Sequence, residues 1–434
     1  MPLAEQRSGS LPPVSEDASR EAGGPEPGRR SALLLALAGI VLLALNLRGA
    51  VTVVPPLLDH VREALGMSTT VVGILGALPT LAFAAAGWVG ARALRRFAAE
   101  QVAVGVLVLT AIGQVIRPWS GSALAFLAVS AVTLLAMGVG NVILPPLVKA
   151  WFPHRIGAVT AAYVATIATG TAIPALIAVP LAEAAGADGW RIGLATWAAI
   201  SVLGLPAWLL IVRHPRAVPA DRANSGPHVP LHRSRIARGL ALMFAMTGLN
   251  TYAMLTWLPE RLTDAGVSAA AAGAELALFA GIGAIPSMIV PVLAVRVRRP
   301  ELLVAACVAC FVVGYLGLLL APATLTTLWV LITGLGPSTF PLSLTLVGLR
   351  SATPVTAGAL SGFMQGIGYA VAATGPLLVG VLHDVTGGWT APFAFLGLTL
   401  GLLMLGGVWC APRRTVDEDV RVPNLQAGPD TLGA

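Results

Sequence analysis

The stretch "LALNLRGAVTVVPPLL", residues 43–58, decides the reading of this chain. It lies inside an apolar run that begins at Ala32, and it carries Arg48 within that run. If the run crosses a bilayer, the arginine sits about two helical turns from the nearer end. Insertion scales put the cost of such a placement at roughly 2.5–3.5 kcal/mol. A charge that costly needs a compensating role.

Composition settles the solvent. Of 434 residues, 56% are hydrophobic and 11% charged, and the mean hydropathy is +0.83, outside the range of soluble globular domains. The chain therefore reads as an integral membrane protein. Its net charge of +7 falls in short clusters between apolar runs, not on one soluble face, so the basic residues report topology and nucleic acid is not expected as a partner. Cys307 and Cys310 share an apolar run and, with Cys410, read as small hydrophobes; neither a metal site nor a cofactor is expected. Residues 1–31, rich in Pro, Gly, Ser, Glu and Arg, cannot bury a core and read as a disordered tail. Arg29 and Arg30 precede a run too long for a signal peptide and read as a cytosolic anchor.

Runs long enough to span a bilayer, about 20 residues each, fall near 32–57, 69–91, 102–118, 122–148, 157–182, 191–212, 239–259, 270–295, 302–320, 323–349, 356–381 and 391–411. Pro174, Pro206, Pro286 and Pro376 inside them predict kinks. With the N-terminus in the cytosol, the outer connections hold only Arg62, Arg117, Arg191 and Arg261 of the 27 Lys and Arg. Apart from Arg48, the rest fall on the inner side, which places both termini in the cytosol. The expected organisation is a tail (1–31), a six-helix bundle (32–212), a cytosolic linker (213–238), a second bundle (239–411) and a cytosolic tail (412–434).

The two halves repeat in the same orientation. "LNLRGAVTVVPPLL" aligns with "LNTYAMLTWLPERL", matching Asn46 to Asn250 and Pro55 to Pro259 at one offset, and the same offset takes Arg92 and Arg95 to Arg296 and Arg299. "GVGNVILP" aligns with "GLGPSTFP", and a Gly-Trp pair ending at Trp190 and at Trp389 precedes the sixth and twelfth runs. Such ordered matches argue for a duplicated six-helix unit.

Twelve spans in two parallel halves joined by a long basic loop resemble the major facilitator superfamily. After its second span that family carries G-x-x-x-D-R-x-G-R-R, and "GWVGARALRR" here keeps Gly87, Arg92, Arg95 and Arg96 but has Ala91 and Leu94 in place of the acid and the second glycine. The resemblance implies a gating role for this loop, with the missing carboxylate putting its charge network in question. Within the superfamily, "NLRGAVTVVPPLL" and "YAMLTWLPERL" look like the cyanate permease and 2-nitroimidazole transporter branch, although Gly49 stands where that branch has proline. In that fold spans one, four, seven and ten line a central cavity, helped by five, eight and eleven.

Arg48 shares a helical face with Thr52. A guanidinium facing a wet cavity is a fork-shaped anion site suited to a carboxylate, cyanate, nitrate or nitro group; the alternative is a packing device paired with Glu275 or a helix end. Tyr252 takes the corresponding place in the second half, with Trp257 beyond it. Gln365 and Tyr369 lie one turn apart in span eleven, and Tyr163 and Thr166 form a similar pair in span five. Asn141, Asn250 and Gln365 read either as solute contacts or as interhelical bonds worth about 0.6 kcal/mol each. Asn46, two residues from Arg48, points the other way and reads as packing.

No carboxylate lies deep in a span, so Glu275 is the candidate for proton coupling, with His383 and His60 nearer the surface. Lys149 is the sole lysine, so a nucleotide-binding glycine loop is excluded, and no hydrolase signature is present. The expected protein is an all-α secondary transporter of the inner membrane, not an enzyme. It would move a small anionic or nitro-bearing solute as a monomer by alternating access. A xenobiotic exporter is the alternative, and a receptor or channel a more remote one.

Overall fold

The computed structural model describes residues 27–186, 188–213 and 230–420, and among these every regular element is a helix. The tail up to residue 26, most of the linker and the chain beyond 420 lie outside the described residues. Twelve helical runs follow one another: α1 (Arg30–Leu57), α2 (Val71–Leu94), α3 (Ala99–Trp119), α4 (Ala123–Trp151), α5 (Ile156–Ala184), α6 (Gly189–Arg213), α7 (Arg235–Asp264), α8 (Ala271–Arg296), α9 (Pro300–Leu320), α10 (Thr326–Leu349), α11 (Pro354–Thr386) and α12 (Thr390–Cys410). All but α7 are long enough and contain a stretch apolar enough to cross a membrane. Helix α7 has 30 residues, and Thr247, Asn250, Thr251 and Tyr252 dilute its apolar character without shortening it.

Proline leaves its mark where its missing N–H falls at a critical place. The regular helix that carries α1 begins just before it, at Pro27, ends at Thr52, and is followed by a 3₁₀ turn at Pro55–Leu57. Helix α8 is interrupted at Gly283, three residues before Pro286, and α11 at Ala373, three before Pro376. Pro174 and Pro206 instead lie inside uninterrupted helix, and α6 breaks at Thr196–Trp197.

The duplication expected from the sequence reappears as duplicated contacts. Asn46 of α1 accepts from Ser201 Oγ of α6 at 2.8 Å and from Gln114 Nε2 of α3 at 3.5 Å. Asn250 of α7 donates to Thr399 Oγ1 of α12 at 2.8 Å and accepts from the Tyr315 hydroxyl of α9 at 2.9 Å. In each half one buried amide thus ties the first helix to the third and the sixth. The third and fourth helices cross in the same way in both halves: a Cβ on Gly113 would lie 2.0 Å from Thr133 Oγ1, and one on Gly314 would lie 1.9 Å from Thr333 Oγ1. Only glycine permits that approach.

The halves meet at the end of the molecule where α1 begins and α12 finishes, the terminal end. The segments of α8, α10 and α11 that pack on the first half are Ala284–Arg296, Thr339–Leu349 and Pro354–Ala372, all at this end, and their far segments make no comparable contact with it. Two seams close the terminal end, α2 against α11 and α5 against α8. A Cβ on Gly362 of α11 would come 2.6 Å from the Gly87 carbonyl oxygen of α2, and one on Gly157 of α5 would come 2.6 Å from the Pro291 carbonyl oxygen of α8. The two seams are counterparts under the repeat.

The segment after α12 is folded onto this end. Asp419 is buried; its Oδ2 accepts from Ser234 Oγ at 2.7 Å and from the Ile236 N–H at 3.2 Å, at the start of α7. Its Oδ1 pairs with Arg414 at 2.6 Å. Asp417 accepts from Thr356 Oγ1 at 2.8 Å and from the Ala352 N–H at 3.0 Å, at the start of α11. Both carboxylates sit at the positive ends of helices, where the macrodipole favours them. Arg350 completes the cap from α10 by donating to the Cys410 and Ala411 carbonyls at 3.0 and 2.8 Å.

Candidate functional site

Arg48 lies one turn before the end of the regular α1 helix, where Thr52 Oγ1 donates back to its carbonyl at 3.1 Å. The regular helix stops at Thr52 and leaves carbonyls of its last turn to other donors. Arg117 of α3 supplies one, Nη1 to the Ala50 carbonyl at 3.0 Å.

The half-buried guanidinium of Arg48 lies over the ring of Phe83 from α2, 5.0 Å from its centroid. The hydroxyls of Tyr369 (α11) and Tyr252 (α7) stand beside it. The Tyr369 hydroxyl is buried and makes no hydrogen bond of standard geometry. Among the described residues no carboxylate forms an ion pair with Arg48; Glu275 accepts instead from Thr327 Oγ1, and its other oxygen is buried without a partner. A cation–π contact contributes about 0.5–2 kcal/mol. That offsets only part of the roughly 3 kcal/mol that the charge costs in a span.

One turn closer to the terminal end, Gln365 Nε2 donates to Ser361 Oγ at 2.9 Å and, across the halves, to the Asn141 carbonyl at 3.3 Å. The buried Asn141 Nδ2 has no partner. Beneath Arg48 lies an aromatic layer: Phe83 meets Tyr369 edge-on at 5.5 Å between centroids, Tyr369 meets Phe244 at 5.2 Å, and Phe244 meets Phe340 at 5.2 Å. Directly below it is the glycine seam of Gly87 and Gly362.

The structure thus brings together Arg48, Tyr252 and Tyr369, with Asn141 and Gln365 adjacent and Thr52 on the same helix face. Tyr163 of α5 is buried, with its hydroxyl near Thr160 and making no hydrogen bond of standard geometry. Asn250 and Trp257 are not brought to Arg48. Asn250 stands two residues from Tyr252, hence on the opposite side of α7, where its amide is consumed by Met246, Thr399 and Tyr315. Trp257 donates to the Pro376 carbonyl at 2.8 Å and stacks on His383, which in turn packs against Trp389. It lines a separate apolar crevice between α7, α11 and α12.

Arg92 in the last turn of α2 and Arg95 and Arg96 just after it are exposed and, among the described residues, form no ion pair with a carboxylate. The two departures from the expected motif are the residues that pack on α11. A Cβ on Gly362 would sit 2.7 Å from the Ala91 Cβ, and one on Gly358 would sit 2.5 Å from a Leu94 methyl. Small and apolar contacts therefore occupy the place of the expected charge network. Phe83 carries no motif signal of its own in the sequence, although it lies four residues before Gly87 and so on the same face of α2.

The family profile of the Major Facilitator Superfamily matches residues 36–373. The 2-nitroimidazole transporter of Escherichia coli (strain K12) is 34% identical over 394 residues, covering 89% of this chain and 97% of the relative. The uncharacterized transporter YycB of Bacillus subtilis (strain 168) is 33% identical, covering 83% and 89%. The cyanate transport protein CynX of Escherichia coli (strain K12) is 30% identical, covering 86% and 97%. Among solved structures, the proton:xylose symporter XylE has a TM-score of 0.69 at 14% identity, covering 91% of this chain and 98% of its own. FucP in the outward conformation has a TM-score of 0.68 at 15% identity, covering 88% and 98%. With twelve helices in two repeated sets of six and a family match over most of its length, the chain belongs to the Major Facilitator Superfamily and is a membrane transporter, not an enzyme.

Proposed function

We propose that the protein moves a small planar solute rich in hydrogen-bond acceptors, an anion or a nitro compound, by alternating access. The observation that carries this is Arg48 resting on an aromatic face between two phenol hydroxyls with no carboxylate to neutralise it. A planar acceptor fits the fork of the guanidinium, while the unpaired Tyr369 hydroxyl and Asn141 amide supply further donors. Thr52, Tyr163, Tyr252 and Gln365 complete the solute site in this proposal, and the names of the relatives, cyanate and 2-nitroimidazole transporters, are of the same chemical kind. Asn250 and Trp257 support their own half instead.

The distribution of Lys and Arg supports an inner-membrane orientation with both termini cytosolic. The closed terminal end is then the cytosolic gate, held by Gly87 and the arginine loop against α11, and the described state opens outward. Glu275, with one carboxylate oxygen unpaired, is the proposed proton site. Each half supplies one side of the cleft, so the monomer is the transporting unit. The aromatic layer under Arg48 also favours a second reading, export of flat aromatic xenobiotics.

The test is solute binding and flux in proteoliposomes, with cyanate and 2-nitroimidazole as probes and Arg48→Gln as the comparison. Saturable flux lost with Arg48 supports the proposal; equal flux in a folded Arg48→Gln protein removes it. Orientation is read separately, by an impermeant thiol reagent on a cysteine at the exposed His232. Labelling from outside intact cells would contradict a cytosolic linker.

A further inference from the structure

We propose that the terminal-end surface of α7 and α12 binds the headgroup of an anionic phospholipid, with Arg235, Arg238 and Trp409 as the site. The guanidinium carbons of Arg235 and Arg238 lie 5.8 and 5.7 Å from the Trp409 ring centroid. Both arginines are exposed and the indole is half-buried. Two like charges converging on one ring repel each other, and among the described residues neither forms an ion pair; nearby Asp419 is already taken by Ser234, Ile236 and Arg414.

The placement is unfavourable in a second way. Both arginines stand in the opening turns of α7, the positive end of the macrodipole, where acidic residues are preferred. Without an external anion, the pair opposes both the helix and itself. The repeat shows that the fold does not require it. At the offset that relates Asn46 to Asn250, the first half has Ser31 and Leu34 in place of the arginines. At the offset that relates Ser201 to Thr399, it has Ile211 in place of Trp409. Ile211 is buried and apolar, so the basic aromatic patch belongs to the second half alone.

A phosphodiester answers both problems. It accepts from two guanidinium groups, sits at the height where an indole anchors at the membrane interface, and leaves its acyl chains along the exposed apolar flank of α12, where Leu398, Leu402, Leu405 and Val408 face outward. The ligand class is an anionic diacyl phospholipid such as phosphatidylglycerol. A zwitterionic lipid brings a cation into the same place and is disfavoured.

The experiment uses the full chain in detergent, titrated with phosphatidylglycerol, phosphatidylcholine or inorganic phosphate, and reads lipid adducts by native mass spectrometry together with the unfolding midpoint. The expected result is adduct formation and a rise of a few degrees with phosphatidylglycerol alone. Arg235→Gln/Arg238→Gln should weaken phosphatidylglycerol binding about tenfold or more, and Arg235→Lys/Arg238→Lys should retain most of it. Undiminished adducts in the double glutamine protein, equal binding of phosphatidylcholine, or an equal response to inorganic phosphate would each overturn the proposal. If the double variant does not fold, Arg238→Gln and Trp409→Leu decide by the same adduct measurement: loss supports the site and retention overturns it.

Discussion

Arg48 of α1 rests its guanidinium on the ring of Phe83 of α2 at 5.0 Å, a contact made within the first half, while the Tyr252 and Tyr369 hydroxyls of the second half stand beside the same charge. Replacing Arg48 with Gln removes the charge and a membrane cost together. The expected outcome is normal expression with solute binding weakened by about 30-fold or more, the equivalent of roughly 2 kcal/mol. Arg48→Lys keeps the charge but loses the planar fork, so binding should fall although the fold survives. Calorimetric titration beside a melting curve separates the outcomes. Loss of fold without a specific loss of affinity would make Arg48 a packing residue.

A related expectation concerns Phe83. Phe83→Leu keeps the apolar volume of the layer and removes the ring face under the guanidinium, which forfeits about 0.5–2 kcal/mol of cation–π attraction. Affinity for an anionic solute should fall by a few-fold to about 30-fold, with less effect on a neutral aromatic one. Equal losses for both kinds of solute would mean that the ring only fills space.

The two glycine seams predict a shift of state. Because a Cβ at Gly362 would collide with the Gly87 carbonyl in the closed terminal end, Gly362→Val should penalise that state by about 1–3 kcal/mol and populate a state parted at that end. Gly157→Val should act in the same direction through Pro291. Spin labels on the exposed Arg96 and Arg299, which belong to different halves, report the separation. An unchanged distance distribution in both variants would show that the seams do not control the gate.

Asp419 predicts a stability effect from a segment that looks like a tail. Asp419→Ala would leave Ser234, the Ile236 N–H and Arg414 without their acceptor, at a cost of about 1–3 kcal/mol. Asp384, whose side chain is 84% exposed, provides the control, since Asp384→Ala should stay within about 0.5 kcal/mol. Thermal unfolding of the two proteins in one detergent is sufficient. Equal midpoints would reduce the docked segment to an ornament of the fold.

These cases show what was legible in the sequence and why. Membrane spans were legible because a bilayer demands about 20 apolar residues in a row, and α7 was recognisable despite its polar residues because it occupies the seventh place of a repeat. Arg48 stood out through its cost, and Tyr252 was placed by the repeat offset. Phe83, Phe244 and Phe340 were not singled out, because an aromatic ring in an apolar run carries no signal of its own until its neighbour is known. The contacts of Ala91 and Leu94 with α11 depend on which helices cross, something no local pattern encodes. Asp417 and Asp419 lie in a short polar stretch after the last span, where composition resembles a tail and only their long-range partners show otherwise.

Glu275 carries the last prediction, on energy coupling. One of its oxygens accepts from Thr327 while the other is buried without a donor, and this carboxylate is the one proposed above to carry a proton. If that proton drives transport, Glu275→Gln, which imitates the protonated side chain, should abolish accumulation against a gradient while preserving solute exchange, because exchange needs no net proton movement. Binding at Arg48 should be unaffected, since the two groups make no contact. The measurement is uptake driven by an imposed pH difference, set beside counterflow in the same liposomes. A variant that loses both activities has lost its structure or its gate, as its melting curve would reveal, and one that still accumulates solute fully under a pH difference excludes Glu275 as the coupling group.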